Sequence, residues 1–368
     1  MTEHPAGAGE DLALLRRVLL EGSSESVVVA TSGSSGTPKR VRLSGAALRA
    51  SGEATAARLA GHGRWVLALP TEHVAGLQVL ARSILAGTDP VRVNPVPGMP
   101  FTASAFTRAC AHLGSGDAAR AALRLTSLVP TQLHRVLADP DATRAAARLD
   151  AILLGGAAAQ ADLLMRASEA GLNVVTTYGM SETCGGCVYD GLPLDGVRVD
   201  LEADGRILLG GDVLADGYVD LPELSAEKFT LDEQGRRWFR TDDRGRLDGD
   251  GRLTVLGRLD DVIITGGHKV EPSDVETALR ALPEIQDALV LGIEDAEWGQ
   301  VVGALLVAAR ESNPTLDHLR AALAHTLPPH AAPRRIVWCD AIPGVGLGKP
   351  GRTRARAMLA EASGSTQS

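Results

Sequence analysis

The stretch Val27-Val-Val-Ala-Thr-Ser-Gly-Ser-Ser-Gly-Thr-Pro-Lys39 runs an apolar, strand-like segment straight into a glycine- and hydroxyl-rich turn. A turn of this make-up, opening at Thr31, is suited to holding phosphates. Gly33 and Gly36 let the backbone approach an anion closely, Ser32, Ser34, Ser35 and Thr37 offer hydroxyl donors, and Lys39 adds a mobile positive charge. The GxxxxGK[ST] spacing of a Walker loop is absent, and Pro38 withholds a backbone N–H from whatever follows. Read alone, the same residues also suit a flexible Ser/Gly linker, so the surrounding chain has to decide.

Around this turn, β-like runs at 27–30, 65–69, 91–94, 125–129, 151–154 and 174–177 alternate with Ala-rich helical stretches, among them 44–59, 77–86 and 159–170. Such alternation predicts an α/β domain on a largely parallel sheet. A short amphipathic helix is expected before it, at 11–20. From about Val197 the pattern shortens to strands parted by the acidic-glycine turns Glu202-Ala-Asp-Gly205 and Asp248-Gly-Asp-Gly251, which mark β-hairpins. Beyond Gly257, helix and strand alternate again at 273–282, 288–292, 302–309, 316–327 and 335–339, enough for a compact α+β module. The expected division is therefore a domain over 1–257 and a smaller one over 258–368.

Length agrees with two domains, since 368 residues exceed what one small core holds. Hydrophobic residues make up 45% and charged residues 22%, a globular balance, but aromatics at 3% leave Ala, Val and Leu to fill the core. A net charge of −8, with no basic run beyond Arg352, Arg354 and Arg356, argues against nucleic-acid binding. No apolar stretch reaches transmembrane length, and the polar start MTEHPAGAGED reads as no signal peptide, so a cytoplasmic protein without membrane insertion is expected. The cysteines at 110, 184, 187 and 339 suggest no disulfide framework. Cys184-Gly-Gly-Cys187 lacks a second ligand pair, and its thiols are expected to be small pocket-lining residues rather than a zinc or redox pair.

Further segments follow the opening loop in order: Gly155-Gly-Ala157, Thr177-Tyr-Gly-Met-Ser-Glu182, Arg240-Thr-Asp-Asp-Arg-Gly245, Gly257-Arg-Leu-Asp-Asp-Val-Ile-Ile-Thr-Gly-Gly-His-Lys269 and Ile342-Pro-Gly-Val-Gly-Leu-Gly-Lys-Pro-Gly-Arg352. Together they resemble the motifs of the adenylate-forming superfamily: acyl-CoA synthetases, peptide-synthetase adenylation domains and luciferases. The resemblance spans nearly the whole chain. It implies an α/β adenylate-forming fold, with a large N-terminal domain and a small mobile α+β C-terminal domain, acting on ATP with Mg2+ and using coenzyme A as co-substrate. Joining a carboxylate to ATP brings an anion onto a polyanion, so positive charge and oriented donors must surround the transferring group.

What the resemblance implies residue by residue follows the motifs. The loop from Thr31 to Lys39 would hold the triphosphate, Glu182 would hold Mg2+, Ser181 would contact the α-phosphate, and Lys349 would bridge carboxylate and phosphate in the transition state. Ser181 stands where the family usually has Thr. Tyr178 would stack on adenine, with Gly155, Gly156 and Ala157 along its edge and Gly179 beside it, although an ordinary core tyrosine is the alternative. Asp243 and Arg258 would hold the ribose, and Asp242 replaces the usual glycine with an extra negative charge. Asp260 falls at the interdomain hinge. Gly266, Gly267 and Lys269 would line the pantetheine path, while His268 and Lys269 suit a solvated surface equally well.

Two more segments, Leu69-Pro-Thr-Glu-His-Val-Ala-Gly-Leu-Gln-Val-Leu-Ala-Arg82 and Ser127-Leu-Val-Pro-Thr-Gln-Leu133, look like the acyl-binding segments of o-succinylbenzoate–CoA ligases of menaquinone biosynthesis. Such a dicarboxylate needs a cation for the carboxylate that does not react, and Arg82 is the candidate; a helix-end arginine reaching solvent is the alternative. His73 would be a gate or pocket wall, or else a core histidine. Ser127 and Thr131 would donate to the ligand, or to nearby carbonyls. Only thirty residues precede the phosphate loop, which implies an abridged N-terminal domain of the kind expected among actinobacterial members, with a homodimer as one way to cover an exposed apolar face. A CoA ligase for another aryl or fatty acid, or an adenylating protein that does not use CoA, remains the rival expectation.

Overall fold

A computed structural model describes residues 3–5, 11–31, 39–94, 96, 98–113, 123–309, 313–345 and 349–364. Its organising element is a seven-stranded sheet in the order Leu192–Pro193, Gly185–Tyr189, Val174–Met180, Ala151–Leu154, Leu123–Leu128, Gly63–Leu67, Val91–Arg92. The five strands from Val174–Met180 to Val91–Arg92 are parallel, and the remaining two add antiparallel to one edge. Each parallel strand needs a crossover, which is why the Ala-rich stretches fold as helices between them.

The strand sequences show the consequence. Ala151 and Leu153 belong to one core, with Trp65, Leu67 and Leu125, whereas Ile152 and Leu154 belong to another, with Val66, Leu128 and Phe106. Strands buried on both faces read as unbroken apolar runs. The first core is closed by the helices Asp11–Leu20, Gly45–Arg58 and Val74–Leu85, through Leu15, Leu48 and Leu77. The second is closed by Ala103–Leu113, Pro130–Leu137, Pro140–Ala146 and Ala161–Glu169.

A four-stranded sheet, ordered Glu3–Pro5, Ser26–Thr31, Lys39–Ser44, Gly217–Tyr218, holds the two strands that flank residues 32–38 as antiparallel neighbours. Both acidic-glycine turns join antiparallel strands as expected: Arg198–Leu201 pairs with Arg206–Gly210, and Arg237–Leu247 with Leu253–Arg258.

The chain divides into two compact units: 1–202, 207–241 and 247–254 form the first, and 203–206, 242–246 and 255–368 the second. In the second unit the strands His268–Val270, Ile263–Thr265, Gly299–Ala308 and Ile285–Asp295 are antiparallel neighbours in that order, with Arg335–Trp338 parallel to Gly299–Ala308. Helices Pro272–Arg280 and Leu316–Leu323 bury Val275, Leu279, Leu319 and Leu323 in one core, and Arg352–Gly364 buries Ala355 and Leu359 in another. The unit is the α+β module expected from the pattern.

Several boundaries differ from the sequence reading for local reasons. The helix expected at 77–86 starts at Val74, with His73 as its N-cap, and its first turn lies so close to the preceding chain that a Cβ on Gly76 would sit 2.1 Å from the Pro70 carbonyl oxygen. The strand expected at 174–177 runs on to Met180, because its antiparallel neighbour Gly185–Tyr189 extends the ladder past the parallel part. Among the described residues no helix is long and apolar enough to cross a membrane. Gly76→Ala should destabilise the protein by about 1–3 kcal/mol, the usual range for overpacking. Urea unfolding with a lowered midpoint at unchanged slope checks it, and an unshifted midpoint counts against the close approach.

Candidate active site

Open parallel sheets bind ligands beyond the carboxyl ends of their strands. Four such ends lie side by side here, and each leads into a segment singled out in the sequence: Gly63–Leu67 into His73, Leu123–Leu128 into Thr131, Ala151–Leu154 into Gly155-Gly-Ala157, and Val174–Met180 into Ser181-Glu182. Gln132 ties two of these ends together. Its amide donates to the Ala68 carbonyl at 2.9 Å, and its side-chain oxygen accepts from the Val129 N–H at 3.1 Å.

Glycine is required along this edge because neighbours crowd it. A Cβ on Gly155 would sit 2.4 Å from the Thr177 hydroxyl, which donates to the Leu154 carbonyl at 3.2 Å. A Cβ on Gly179 would sit 2.1 Å from the Gly185 carbonyl oxygen. Tyr178 is half-buried on the strand that ends at Met180.

The turn Ser181–Thr183 is a single 3-10 turn, left through Cys184 in the left-handed region at φ 51°. It is held from several sides. Met180 donates its N–H to the Thr183 hydroxyl at 3.0 Å, that hydroxyl lies 2.8 Å from the Gly185 carbonyl as donor, and Ser51 and Gln78 both donate to the Cys184 carbonyl at 3.1 and 2.7 Å. Glu182 is thereby fixed in a buried position, and its Oε1 accepts from the Tyr218 hydroxyl at 2.8 Å, which offsets part of the cost of burying a carboxylate. A carboxylate is a hard oxygen donor, and Mg2+ characteristically takes one or two carboxylates together with substrate phosphates. Among the described residues no group of three His, Cys, Asp or Glu is poised for a metal, and a metal shared with a nucleotide asks for none. Glu182 fits.

The two strands flanking residues 32–38 meet at their ends. Thr31 and Lys39 are register partners, and the Thr31 hydroxyl donates to the Lys39 carbonyl at 3.3 Å. Ser32, Gly33, Ser34, Ser35, Gly36 and Thr37 lie outside the described residues. The Lys39 ammonium stands 5.5 Å from the centroid of the Tyr218 ring. The Lys349 side chain also lies outside the described set, while its backbone pairs with Val345 in a short antiparallel hairpin.

Ser127 is buried near the end of its strand and Thr131 is exposed in the first turn of the following helix. Arg82 does not join them. It sits nine residues beyond His73 on a helix that runs back along the sheet, about 13 Å along the axis. The residue is 5% exposed, and its guanidinium lies 5.3 Å from the Trp65 ring centroid and donates to the Tyr189 hydroxyl at 3.3 Å. The residues around it, including Gly61, His62 and Gly63, belong to the amino end of the strand, so the expectation that Arg82 meets a ligand carboxylate does not fit its position. The alternative of a helix-end arginine reaching solvent fails as well, since Arg82 is a core cation.

Cys184 and Cys187 are both fully buried in the first core. Burial pushes both thiols up, Cys187 to about 12.

In the second unit, Asp242, the residue in the place of a glycine, is compensated locally. Its carboxylate lies 3.5 Å from Arg206 and 3.6 Å from Arg258. Arg258 also reaches Asp260 through two hydrogen bonds of 2.8 and 3.0 Å. Burial works against the Arg258 charge, but the Asp260 hydrogen bonds and the charges of Asp260, Asp243 and Asp242 outweigh it and hold the guanidinium well above its ordinary value. Arg206 and Tyr218 went unnoticed in the sequence reading, because their partners lie 36 residues away in each case. Gly266 and Gly267 adopt φ of 54° and 81°, and a Cβ on Gly266 would strike the Trp298 ring at 2.6 Å. His268 and Lys269 are exposed, with His268 stacked on His330 at 4.3 Å.

A buried carboxylate at the carboxyl edge of a parallel sheet, with the paired strands Ser26–Thr31 and Lys39–Ser44 in the same unit, is the arrangement of a ligand-binding α/β enzyme. The AMP-binding enzyme model matches residues 16–218, and the model of the AMP-binding enzyme C-terminal domain matches 274–349. The chain belongs to the AMP-binding enzyme family. It is 49% identical over 89% of its length to a "Probable 2-succinylbenzoate--CoA ligase" of Mycobacterium tuberculosis, of which it covers 82%. It is 32% identical over 86% of its length to a 2-succinylbenzoate–CoA ligase of Geobacillus kaustophilus, covering 66% of that protein. Among solved structures it resembles o-succinylbenzoate CoA synthetase from Bacillus subtilis in complex with the acyl-adenylate intermediate, with a TM-score of 0.75 and 27% identity, covering 90% of this chain and 68% of that one. The same Bacillus enzyme in complex with ATP and magnesium ion gives 0.73 at 27% identity, covering 91% and 69%.

The burial of the cysteine pair yields a direct test. At pH 8 a thiol with a pKa near 12 is thiolate in only about one molecule in 10^4, and reagent access adds a further barrier. Cys184 and Cys187 should therefore resist alkylation until denaturant unfolds the protein, as read by mass-resolved labelling. Rapid modification of Cys184 in the native protein would contradict the packing described.

Proposed function

We propose that this protein is an o-succinylbenzoate–CoA ligase that works through an acyl-adenylate. The observation that carries the reading is the convergence of Gly155–Ala157, Tyr178 and Glu182 on adjacent strand ends, in a chain 49% identical to a protein named for that activity. In the first step a carboxylate oxygen of the acid attacks the α-phosphorus of ATP, the bond to the β-phosphate breaks, and pyrophosphate leaves. In the second the CoA thiol, losing its proton, attacks the acyl carbon, and AMP leaves.

The chain's residues divide the work by charge and position. The Thr31–Lys39 loop, with Ser181, binds the phosphates, Tyr178 and Gly155 to Ala157 flank the adenine, and Asp243 with Arg258 holds the ribose. Glu182 would hold Mg2+, which when bound neutralises phosphate charge. Lys349 orients the attacking carboxylate and offsets the charge that builds up between it and the α-phosphate. His73, Ser127 and Thr131 belong to the acid's side of the edge. The adenylate must be shielded from water and then offered to a thiol, a need met if the domain over 258–368 turns about Asp260 and brings Gly266, Gly267 and Lys269 to the CoA path. ATP and CoA are drawn from the cytoplasm, where this reading puts the protein.

Two experiments test the assignment. Lys349→Ala should slow adenylate formation by on the order of 10^2–10^3 while leaving thioester formation from supplied adenylate within about threefold. Equal loss of both half-reactions removes the role given to Lys349. Pyrophosphate release across aromatic mono- and dicarboxylates, with and without CoA, should favour o-succinylbenzoate over benzoate by a factor on the order of 10^2 or more. Faster turnover of a monocarboxylate would reassign the acid, and AMP production indifferent to CoA would remove the ligase step.

A further inference from the structure

One side chain touches two separate parts of the nucleotide site. The Tyr218 hydroxyl donates to Oε1 of Glu182 at 2.8 Å in a buried setting, and the face of the same ring lies 5.5 Å from the ammonium of Lys39. We infer that Tyr218 is a positioning residue of the ATP site, aligning Glu182 through its hydroxyl and Lys39 through its ring before nucleotide and metal arrive. The inference rests on the metal-holding role proposed for Glu182.

Tyr218 is itself held in place, as a positioning group must be. Its ring is 5% exposed and meets Phe229 edge-on, with centroids 5.9 Å apart. Its backbone N–H donates to the Ser225 hydroxyl at 2.8 Å, and the strand Gly217–Tyr218 pairs with Arg42 and Val41 on the far arm of the phosphate-loop hairpin. The neighbouring backbone continues the link: Ala215 N–H donates to the Glu182 carbonyl and Asp216 N–H to the Arg42 carbonyl, both at 2.9 Å. Segment 215–219 therefore joins the Glu182 turn to the strand that begins at Lys39. Within that join, the phenol is the group that reaches the carboxylate itself.

A tyrosine that merely satisfied a buried acid would affect stability alone. A positioning tyrosine must also affect how the metal is used. Tyr218→Phe separates the two, because it removes the hydroxyl and keeps the ring under Lys39. The measurement is calorimetric ATP binding to the full-length protein over a range of free Mg2+, with AMP as the ligand that lacks the β- and γ-phosphates, and thermal unfolding recorded for every variant. Loss of a hydrogen bond to a charged group should raise the Mg2+ concentration for half-maximal effect roughly 10- to 150-fold in Tyr218→Phe and leave AMP affinity within about twofold. Glu182→Gln should abolish most of the Mg2+ dependence, and adding Tyr218→Phe to it should change nothing further.

Unaltered Mg2+ dependence in Tyr218→Phe overturns the inference, as does an additive loss in the double variant. Unaltered Mg2+ dependence in Glu182→Gln overturns instead the metal role of Glu182 on which the inference stands. Should Tyr218→Phe fold poorly, Ser225→Ala, which removes only the hydroxyl bound by the Tyr218 N–H, should shift the Mg2+ dependence in the same direction by roughly two- to fivefold. No shift there counts against the inference as well.

Discussion

Burial of the parallel sheet on both faces is the constraint on which the rest of the first unit depends. Ile152 and Leu154 face one core while Ala151 and Leu153 face the other, and neither set can be exposed without losing on the order of 1.5–3 kcal/mol per large side chain. Helices must therefore cover each face, and every parallel connection must cross from one strand's end to the next strand's start. The carboxyl ends of four strands then gather along one edge. Residues as distant in sequence as His73 and Glu182 share that edge because the core requires it, and the chemistry occupies what the packing leaves open.

Much of this was legible in the sequence. Continuous apolar runs gave the parallel strands, the acidic-glycine turns gave the hairpins, and the Ala-rich stretches gave the crossovers. Arg82 was misjudged for a physical reason: sequence spacing tells how far apart two residues lie on a helix, but the direction of that helix relative to the strands is set by tertiary packing. That helix begins three residues earlier than its apolar run indicates, at Val74, where its first turn packs against Pro70 through Gly76. Tyr218 and Arg206 carried no local signal at all. Their meaning arises when antiparallel pairing brings segments together, and no periodicity within either segment announces the partner.

The charges of the second unit follow a similar logic. Asp242 looked like an unexplained negative charge beside a nucleotide site, yet it stands between Arg206 and Arg258, and Arg258 in turn grips Asp260. These groups are partly exposed, so each pair contributes little to stability by itself. What the arrangement does is fix direction. A planar guanidinium with carboxylates on two sides has few orientations left, which suits a group expected to meet a ribose near a hinge.

The strand that carries Tyr178 has a parallel neighbour on one side and an antiparallel neighbour on the other, and it reverses within the sheet through Ser181–Thr183. Crossover loops elsewhere in the sheet can gain or lose residues and let a helix slide to compensate. This reversal cannot. One residue inserted between Met180 and Gly185 would disturb the ladder in which Gly179 and Met180 pair with Gly186 and Gly185, and with it the packing of Cys187, Val188 and Tyr189 in the first core. The position of Glu182 is therefore tied to a ladder on either side of its turn, Met180 to Gly185 and Gly179 to Gly186, rather than to a loop of its own.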